Sequence, residues 1–142
     1  MTEPEGFNRT TKLVPKKILV IGGPRCGKTT HAKQLGSQYG ISVLHLDDHM
    51  HLKWSEVSDA VVVWLDERDP WVMEGVQGVR GLRKWLRAHP DRPLDFEVHL
   101  LVAPKVELTK GQQAMYKACK TMFQEILPEL EKRGAKVLEL LS

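Results

Sequence analysis

The stretch Gly22-Gly23-Pro24-Arg25-Cys26-Gly27-Lys28-Thr29-Thr30 fits the phosphate-binding pattern G-x-x-x-x-G-K-[ST]. An apolar run, Ile18-Leu19-Val20-Ile21, precedes it and reads as a buried strand; a helix-compatible run from Lys28 to Tyr39 follows and closes at Gly40. Gly22 and Gly27 carry no Cβ, so the backbone can bend sharply and approach a phosphate closely. The loop N–H groups then converge on a β-phosphate at a helix N-terminus, where free donors and the helix dipole both favour an anion. In that arrangement Lys28 reaches the β- and γ-phosphates and the Thr29 hydroxyl ligates Mg²⁺. Every residue from Gly22 to Thr30 is therefore a candidate for binding a nucleotide's phosphates. The competing reading, a Gly-rich turn with a chance Lys-Thr, has the agreement of strand, loop and helix against it.

At 142 residues the chain has the size of one domain with one core. A composition 42% apolar and 27% charged is that of a globular protein rather than a disordered one. The net charge of +3 admits an anionic partner without demanding one. Nucleic-acid readers show a basic cluster, and the nearest approach to one is Arg80, Arg83, Lys84 and Arg87. Cys26 and Cys119 form neither a metal-type spacing nor a disulfide framework, so a reducing interior is the simplest setting. No apolar run approaches the ~18 residues of a membrane span. A cytoplasmic protein without membrane attachment is expected.

Residues 1–15 lack periodicity and carry Pro4, Gly6 and Pro15, which reads as a flexible tail before a domain over residues 16–142. Ile41 to Leu46 is a second strand ending at Asp47-Asp48, and His49 to Trp54 reads as a loop. Ser55 is the expected N-cap of a helix from Glu56 to about Glu67, on the spacing of Val57, Ala60, Val61, Trp64 and Leu65. Trp71-Val72-Met73 makes a third strand ending at Glu74-Gly75, followed by a helix from Val79 to Ala88. Val98 to Ala103 is a fourth strand. Thr109 caps a long helix to about Arg133, which Pro128 kinks or divides, and Lys136 to Leu141 makes a fifth strand. Strands alternating with helices specify a single doubly wound α/β domain, a five-stranded parallel sheet with helices on both faces. Its ligands bind beyond the carboxyl ends of the strands, so the phosphate loop, Asp47-Asp48 and Glu74 share one rim.

Phosphoryl transfer to a hydroxyl needs a carboxylate to orient the acceptor and take its proton, and anions to hold Mg²⁺. Asp47 is the first choice for the acceptor-side base and Asp48 the alternative; either could contact Mg²⁺ through water. An Asx turn or a helix cap is the competing reading of the pair. Glu74 occupies a Walker-B-like place, within reach of the metal's water shell or of the acceptor. Arg80 suits bidentate recognition of a phosphate or carboxylate, whereas Arg83, Lys84 and Arg87 read better as a solvated helix face. Trp54 divides evenly between core packing and stacking on an acceptor base. His45, His49 and His51 invite a metal reading that their spacing does not support, and His49 and His51 fit the mouth of an acceptor pocket better. Cys26, at a helix N-terminus, could have a depressed pKa and be oxidisable, while Cys119 reads as core.

Three segments, GGPRCGKTT, HLDDHMHLKW and WVMEGVQGVRGL, together resemble the small P-loop kinases related to adenylate, shikimate and nucleoside kinases. Within that group the chain is similar to the bacterial topology modulation proteins. The resemblance implies ATP and Mg²⁺ at the loop, an acceptor beside Asp47 and Asp48, a Glu-Gly after the third strand, and the strand order 2-3-1-4-5. Kinases of this group place arginines in a mobile lid before the last helix, but the segment from Pro104 to Gln113 contains none. Lys105, Lys110 or Lys117 could substitute as point charges rather than forks. A missing lid leaves the acceptor side open and admits something as large as a modified nucleotide within DNA, with the helix from Arg80 to Arg87 tracking the phosphate backbone.

The resulting expectation is an ATP-dependent kinase, a P-loop phosphotransferase passing the γ-phosphate to a hydroxyl of a nucleoside, nucleotide or nucleic acid. Lys28, Asp47 and Asp48 are its candidate catalytic residues; Asp48, Trp54, Glu74 and Arg80 its acceptor-binding residues; Thr29, Asp47 and Glu74 its metal ligands. The alternative is a P-loop ATPase or a nucleotide-gated binding module with no acceptor. A guanine-nucleotide switch is disfavoured, because Thr109-Lys110-Gly111-Gln112 lacks the Asp that reads guanine.

Overall fold

The central strand of the sheet is β1 (Lys17–Gly22), buried along its whole length in the computed structural model, which describes residues 16–49 and 53–141. It pairs in parallel with β3 (Trp71–Glu74) on one side and β4 (Glu97–Leu101) on the other. β2 (Val43–His45) and β5 (Lys136–Leu140) close the edges, giving the parallel order β2-β3-β1-β4-β5 that the resemblance implied. The register sets Val20 opposite Glu74, His45 opposite Glu74, and Gly22 opposite Leu101, so these residues gather at the carboxyl rim.

Side chains alternate across β1. Ile18 and Val20 point to α1 (Lys28–Tyr39), where they pack with Cys26, Ala32, Leu35, Val72 and Leu101. Leu19 and Ile21 point to the opposite layer, formed by α2 (Trp54–Trp64), α3 (Gly78–Ala88) and α4 (Lys110–Lys132). Both faces of the sheet thus carry helices, as a mainly apolar central strand requires. The tail expected over residues 1–15 lies outside the described residues.

Several boundaries differ from the sequence expectation. Asp47 and Asp48 do not simply end a strand; they sit in a 3-10 turn, Leu46–His49. Ser55 is not the N-cap of α2. The Glu56 carboxylate accepts the Lys53 N–H at 2.8 Å, so the helix begins at Trp54 and Ser55 lies in its first turn. Pro128 does not divide α4, which runs continuously past it. Pro128 and Gln124 are both exposed, so water can meet the carbonyl that loses its helical partner. Thr109 does cap α4, its hydroxyl accepting the Gln112 N–H at 3.2 Å.

A crossing of α2 and α3 fixes the rim from behind. A Cβ at Gly81 would lie 2.3 Å from Val61 Cγ1 and 2.5 Å from Val61 Cβ, so the two helices meet backbone to side chain. Val61 is fully buried and β-branched and has no free rotamer to retreat into. Gly81→Ala is expected to destabilise the chain by about 1–3 kcal/mol through overpacking. Thermal denaturation of Gly81→Ala, Val61→Ala and the double variant checks this: the double variant should be more stable than the sum of the two losses. Strict additivity would contradict a tight crossing.

Candidate active site

Glu74 ends β3 with its carboxylate buried at the base of the rim. Its Oε2 accepts the Thr29 hydroxyl at 3.1 Å and the His45 Nδ1–H at 2.5 Å. One oxygen thereby ties the phosphate loop's helix to β2 and β3. The other oxygen, Oε1, is buried and has no hydrogen-bond partner. A bare carboxylate oxygen beside a threonine hydroxyl is a donor set that fits a hard divalent cation. Magnesium takes few protein oxygens and completes its shell with water and phosphate. Among the described residues, no group of three or more His, Cys, Asp or Glu side chains is placed to hold a metal ion.

The loop itself is shaped for an anion. Gly27 adopts φ 87° before the first turn of α1, and Arg25 holds φ 62°, a left-handed conformation rare for a side chain of its size. Lys28 is buried and donates to the Gly23 carbonyl at 2.6 Å, folding its ammonium back over the loop. Pro24, Arg25, Gly27, Lys28, Thr29 and Thr30 line a cleft of about 620 Å³. Gly22 and Gly23 instead face α4, where a Cβ on Gly23 would meet Tyr116 Cδ1 at 2.6 Å. Cys26 points into the core below α1. Burial raises its pKa and outweighs the nearby Lys28 charge, which corrects the expectation of an activated thiol. Cys119 is core as expected, and burial pushes its pKa up to about 11.

The cleft's remaining walls bring together residues from distant parts of the chain: Asp47, Trp54 and Val76 on one side, Lys105, Gln112 and Met115 on the other. Asp47 lines the cleft and Asp48 does not, because successive residues of a 3-10 turn point about 120° apart. Burial raises the Asp47 pKa, the Glu74 charge adds to this, and Lys28 and the Val76 N–H offset it in part. Gly75, at φ 150°, makes the close approach possible: a Cβ there would press Leu46 at 2.7 Å and Asp47 Oδ1 at 3.2 Å. Trp54 is half exposed at the start of α2 and lines the cleft; Arg80 lines a recess at its inner end.

Other candidates lie elsewhere. His45 is engaged by Glu74, and His49 packs its ring on Trp64 at 5.2 Å between centroids; His51 is outside the described residues. Beyond Arg80, the basic side chains of α3 are paired with carboxylates of neighbouring helices. Arg83 and Arg87 bond Glu125 of α4 at 3.2 and 3.4 Å, and Lys84 bonds Asp59 of α2 at 2.7 Å. Of the lysines proposed in place of a lid, Lys105 alone lines the cleft, and its N–H donates to the Arg25 carbonyl at 2.8 Å.

Two arrangements carried no sequence signal. His31 Nε2 lies 3.0 Å from His99 Nδ1, His99 Nε2 lies 3.1 Å from Glu97, and Glu97 bonds Lys16 at 2.6 Å, joining α1 to β4. Burial, then the neighbouring His99, lowers the His31 pKa. Arg133 donates to the carbonyls of Leu86, His89 and Arg92, closing the C-terminal end of α3. Neither could be found by spacing, since the partners come from separate elements.

The raised Asp47 pKa has a consequence for stability. Between the ordinary carboxylate range and the raised value, the folded chain holds a proton that the unfolded chain has released, so stability falls as pH rises through that window. Asp47→Asn should therefore stabilise the chain at pH 7, by less than about 1 kcal/mol because the site is open to solvent, and raise the melting temperature accordingly. The advantage should shrink as the pH is lowered toward 4, which thermal melts of both proteins across pH would check.

No protein-family model matches the chain, and no curated protein matches it in sequence. Solved structures do match in fold. The shikimate kinase from Acinetobacter baumannii, in complex with shikimate, superposes with a TM-score of 0.59 at 11% identity, over 94% of this chain and 87% of that one. An unliganded sugar kinase from Janibacter sp. superposes with a TM-score of 0.50 at 19% identity, over 89% of this chain and 84% of that one. At such identities the likeness is one of architecture: the chain has the fold of the small P-loop kinases.

Proposed function

We propose that the protein is an ATP-dependent phosphotransferase that moves the γ-phosphate to a hydroxyl of a small acceptor of nucleoside or nucleotide type. The observation that carries this reading is the position of Asp47 on the wall of the same cleft as Lys28 and Thr29. A binding module without chemistry has no proton to remove; an ATPase would turn the same carboxylate on water, and the further walls of the cleft, Trp54, Val76 and Met115, favour an acceptor larger than water. A cleft of about 620 Å³ has the size of a small-molecule site.

The residues divide the work as follows. The loop from Gly22 to Thr30 receives the phosphates, and Lys28 exchanges the Gly23 carbonyl for the β- and γ-phosphate oxygens. Thr29 and Glu74, already joined by a hydrogen bond, would hold Mg²⁺, which when bound would supply charge neutralisation to the phosphates. Asp47 orients the acceptor hydroxyl and takes its proton; the raised pKa makes it a stronger base than an ordinary aspartate. The acceptor oxygen bonds to the γ-phosphorus as the bond from that phosphorus to the β–γ bridging oxygen breaks, and ADP leaves with the electron pair. Trp54 and Arg80 contact the acceptor. Asp48, pointing away from the cleft, is left with a structural part in the turn.

The engagement of Arg83, Lys84 and Arg87 by carboxylates of neighbouring helices favours a free small molecule over a nucleotide held within DNA. Incubation with labelled ATP and a panel of nucleosides, nucleoside monophosphates, and single- and double-stranded DNA tests both parts. Label should pass to a free small acceptor, and Asp47→Asn should slow transfer by about 10²–10⁴-fold while ATP binding is retained. Label recovered only as free phosphate, whatever acceptor is offered, would replace the kinase with an ATPase. Transfer to DNA that collapses as salt is raised would overturn the small acceptor.

A further inference from the structure

Gln77 follows Gly75-Val76 beyond β3 and is 2% exposed. Its Oε1 is buried without a hydrogen-bond partner, and its side-chain amide bonds to no other described residue. Folded proteins pair roughly nine in ten or more of their buried polar groups, and an unpaired amide carbonyl lowers stability. A methionine of similar length would fill the position without that loss.

The place it occupies gives the amide a use. Gln77 lines a narrow recess of about 40 Å³ together with Trp54, Val76, Arg80, Met115 and Met122. Trp54, Val76 and Met115 also line the main cleft, so the recess is the cleft's inner end. A recess of that size takes a small polar group of a ligand rather than a whole ring. Around it the walls are apolar except for Gln77 and Arg80. Arg80 has no carboxylate partner among the described residues, unlike Arg83, Lys84 and Arg87 on the same helix.

We propose that Gln77 is a specificity-determining residue of the acceptor site: its amide hydrogen-bonds an O–H or N–H group of an acceptor whose phosphate or carboxylate is held by Arg80. The inference takes its occupant from the phosphotransferase reading and names the occupant's class: a small anion bearing a hydrogen-bond donor within reach of the amide. A site built to satisfy such a donor rejects analogues lacking it far more strongly than an apolar pocket can.

Binding, read without turnover, tests it. Tryptophan fluorescence of the full chain is titrated with a nucleoside 5′-monophosphate and separately with shikimate, a hydroxylated carboxylate, so that the two arms distinguish phosphate from carboxylate. ADP affinity is measured by calorimetry as the control for the phosphate loop. At least one probe should bind the parent. Gln77→Met should raise the melting temperature and weaken that probe about tenfold or more, with ADP affinity unchanged. Gln77→Asn, which keeps an amide but withdraws it, should weaken the probe without raising the melting temperature. Failure of both probes to bind a parent that still binds ADP would overturn the proposed class. Unchanged probe affinity in both variants would leave Gln77 bonded to a buried water only and overturn the role. Probe binding that depends on Gln77, in a protein that transfers no phosphate, would remove the kinase reading and leave the site standing.

Discussion

The buried carboxylate of Glu74 is the interaction on which the rim depends. A charge in that position is costly unless it is bonded, and its bonds come from Thr29 on the phosphate loop's helix and His45 on β2. The parallel register makes this possible by setting Val20 and His45 level with Glu74 on either side of it. One oxygen thereby holds the ends of β2 and β3 and the first turn of α1 together, and the second oxygen is buried without a hydrogen-bond partner. Asp47 is positioned by the same construction, one turn beyond His45 and against Gly75, and it feels the Glu74 charge through its own raised pKa.

The segment after β4 and the first turns of α4 border the cleft through Lys105, Gln112 and Met115. Tyr116 of α4 packs directly over Gly23, and its hydroxyl donates to the Val102 carbonyl at 2.7 Å. Lys105 joins the segment after β4 to the loop through a backbone bond to Arg25. The phosphate loop is thus braced from two sides before any ligand arrives. The side chain offered to a phosphate from this direction is an ammonium, which neutralises charge without fixing orientation as a guanidinium would. In the proposed reaction, orientation would fall to Asp47, Arg80 and Gln77 on the acceptor side.

Much of the architecture was legible because it rests on local pattern. The loop motif, the apolar run before it and the alternation of strands with helices each specify their own stretch, and Thr109 with Gln112 forms a cap visible in the sequence. Strand order came from resemblance rather than from periodicity. What escaped depends on the third dimension. Nothing local distinguishes Ser55 from Lys53 as the start of α2 until the Glu56 side chain is seen to turn back. Adjacent aspartates look equivalent until a 3-10 turn splays them. Cys26 sits at a helix N-terminus, yet burial in the α1 layer decides its pKa in the opposite direction. The basic run on α3 looks like a surface track until Glu125 and Asp59 arrive from other helices. Gln77 carries no motif at all and becomes conspicuous only because its buried amide oxygen has no hydrogen-bond partner among the described residues.

Calorimetric titration of ATP with and without Mg²⁺, repeated on Glu74→Gln, probes the centre of this arrangement most directly. If Glu74 organises a metal-dependent phosphate site, Mg²⁺ tightens ATP binding in the parent, and that gain falls by about tenfold or vanishes in the variant. Metal-free affinity should be unchanged or higher in the variant, because a negative charge beside the phosphate loop has been removed. An Mg²⁺ gain of equal size in both proteins would contradict the account and reduce Glu74 to a tie between strands.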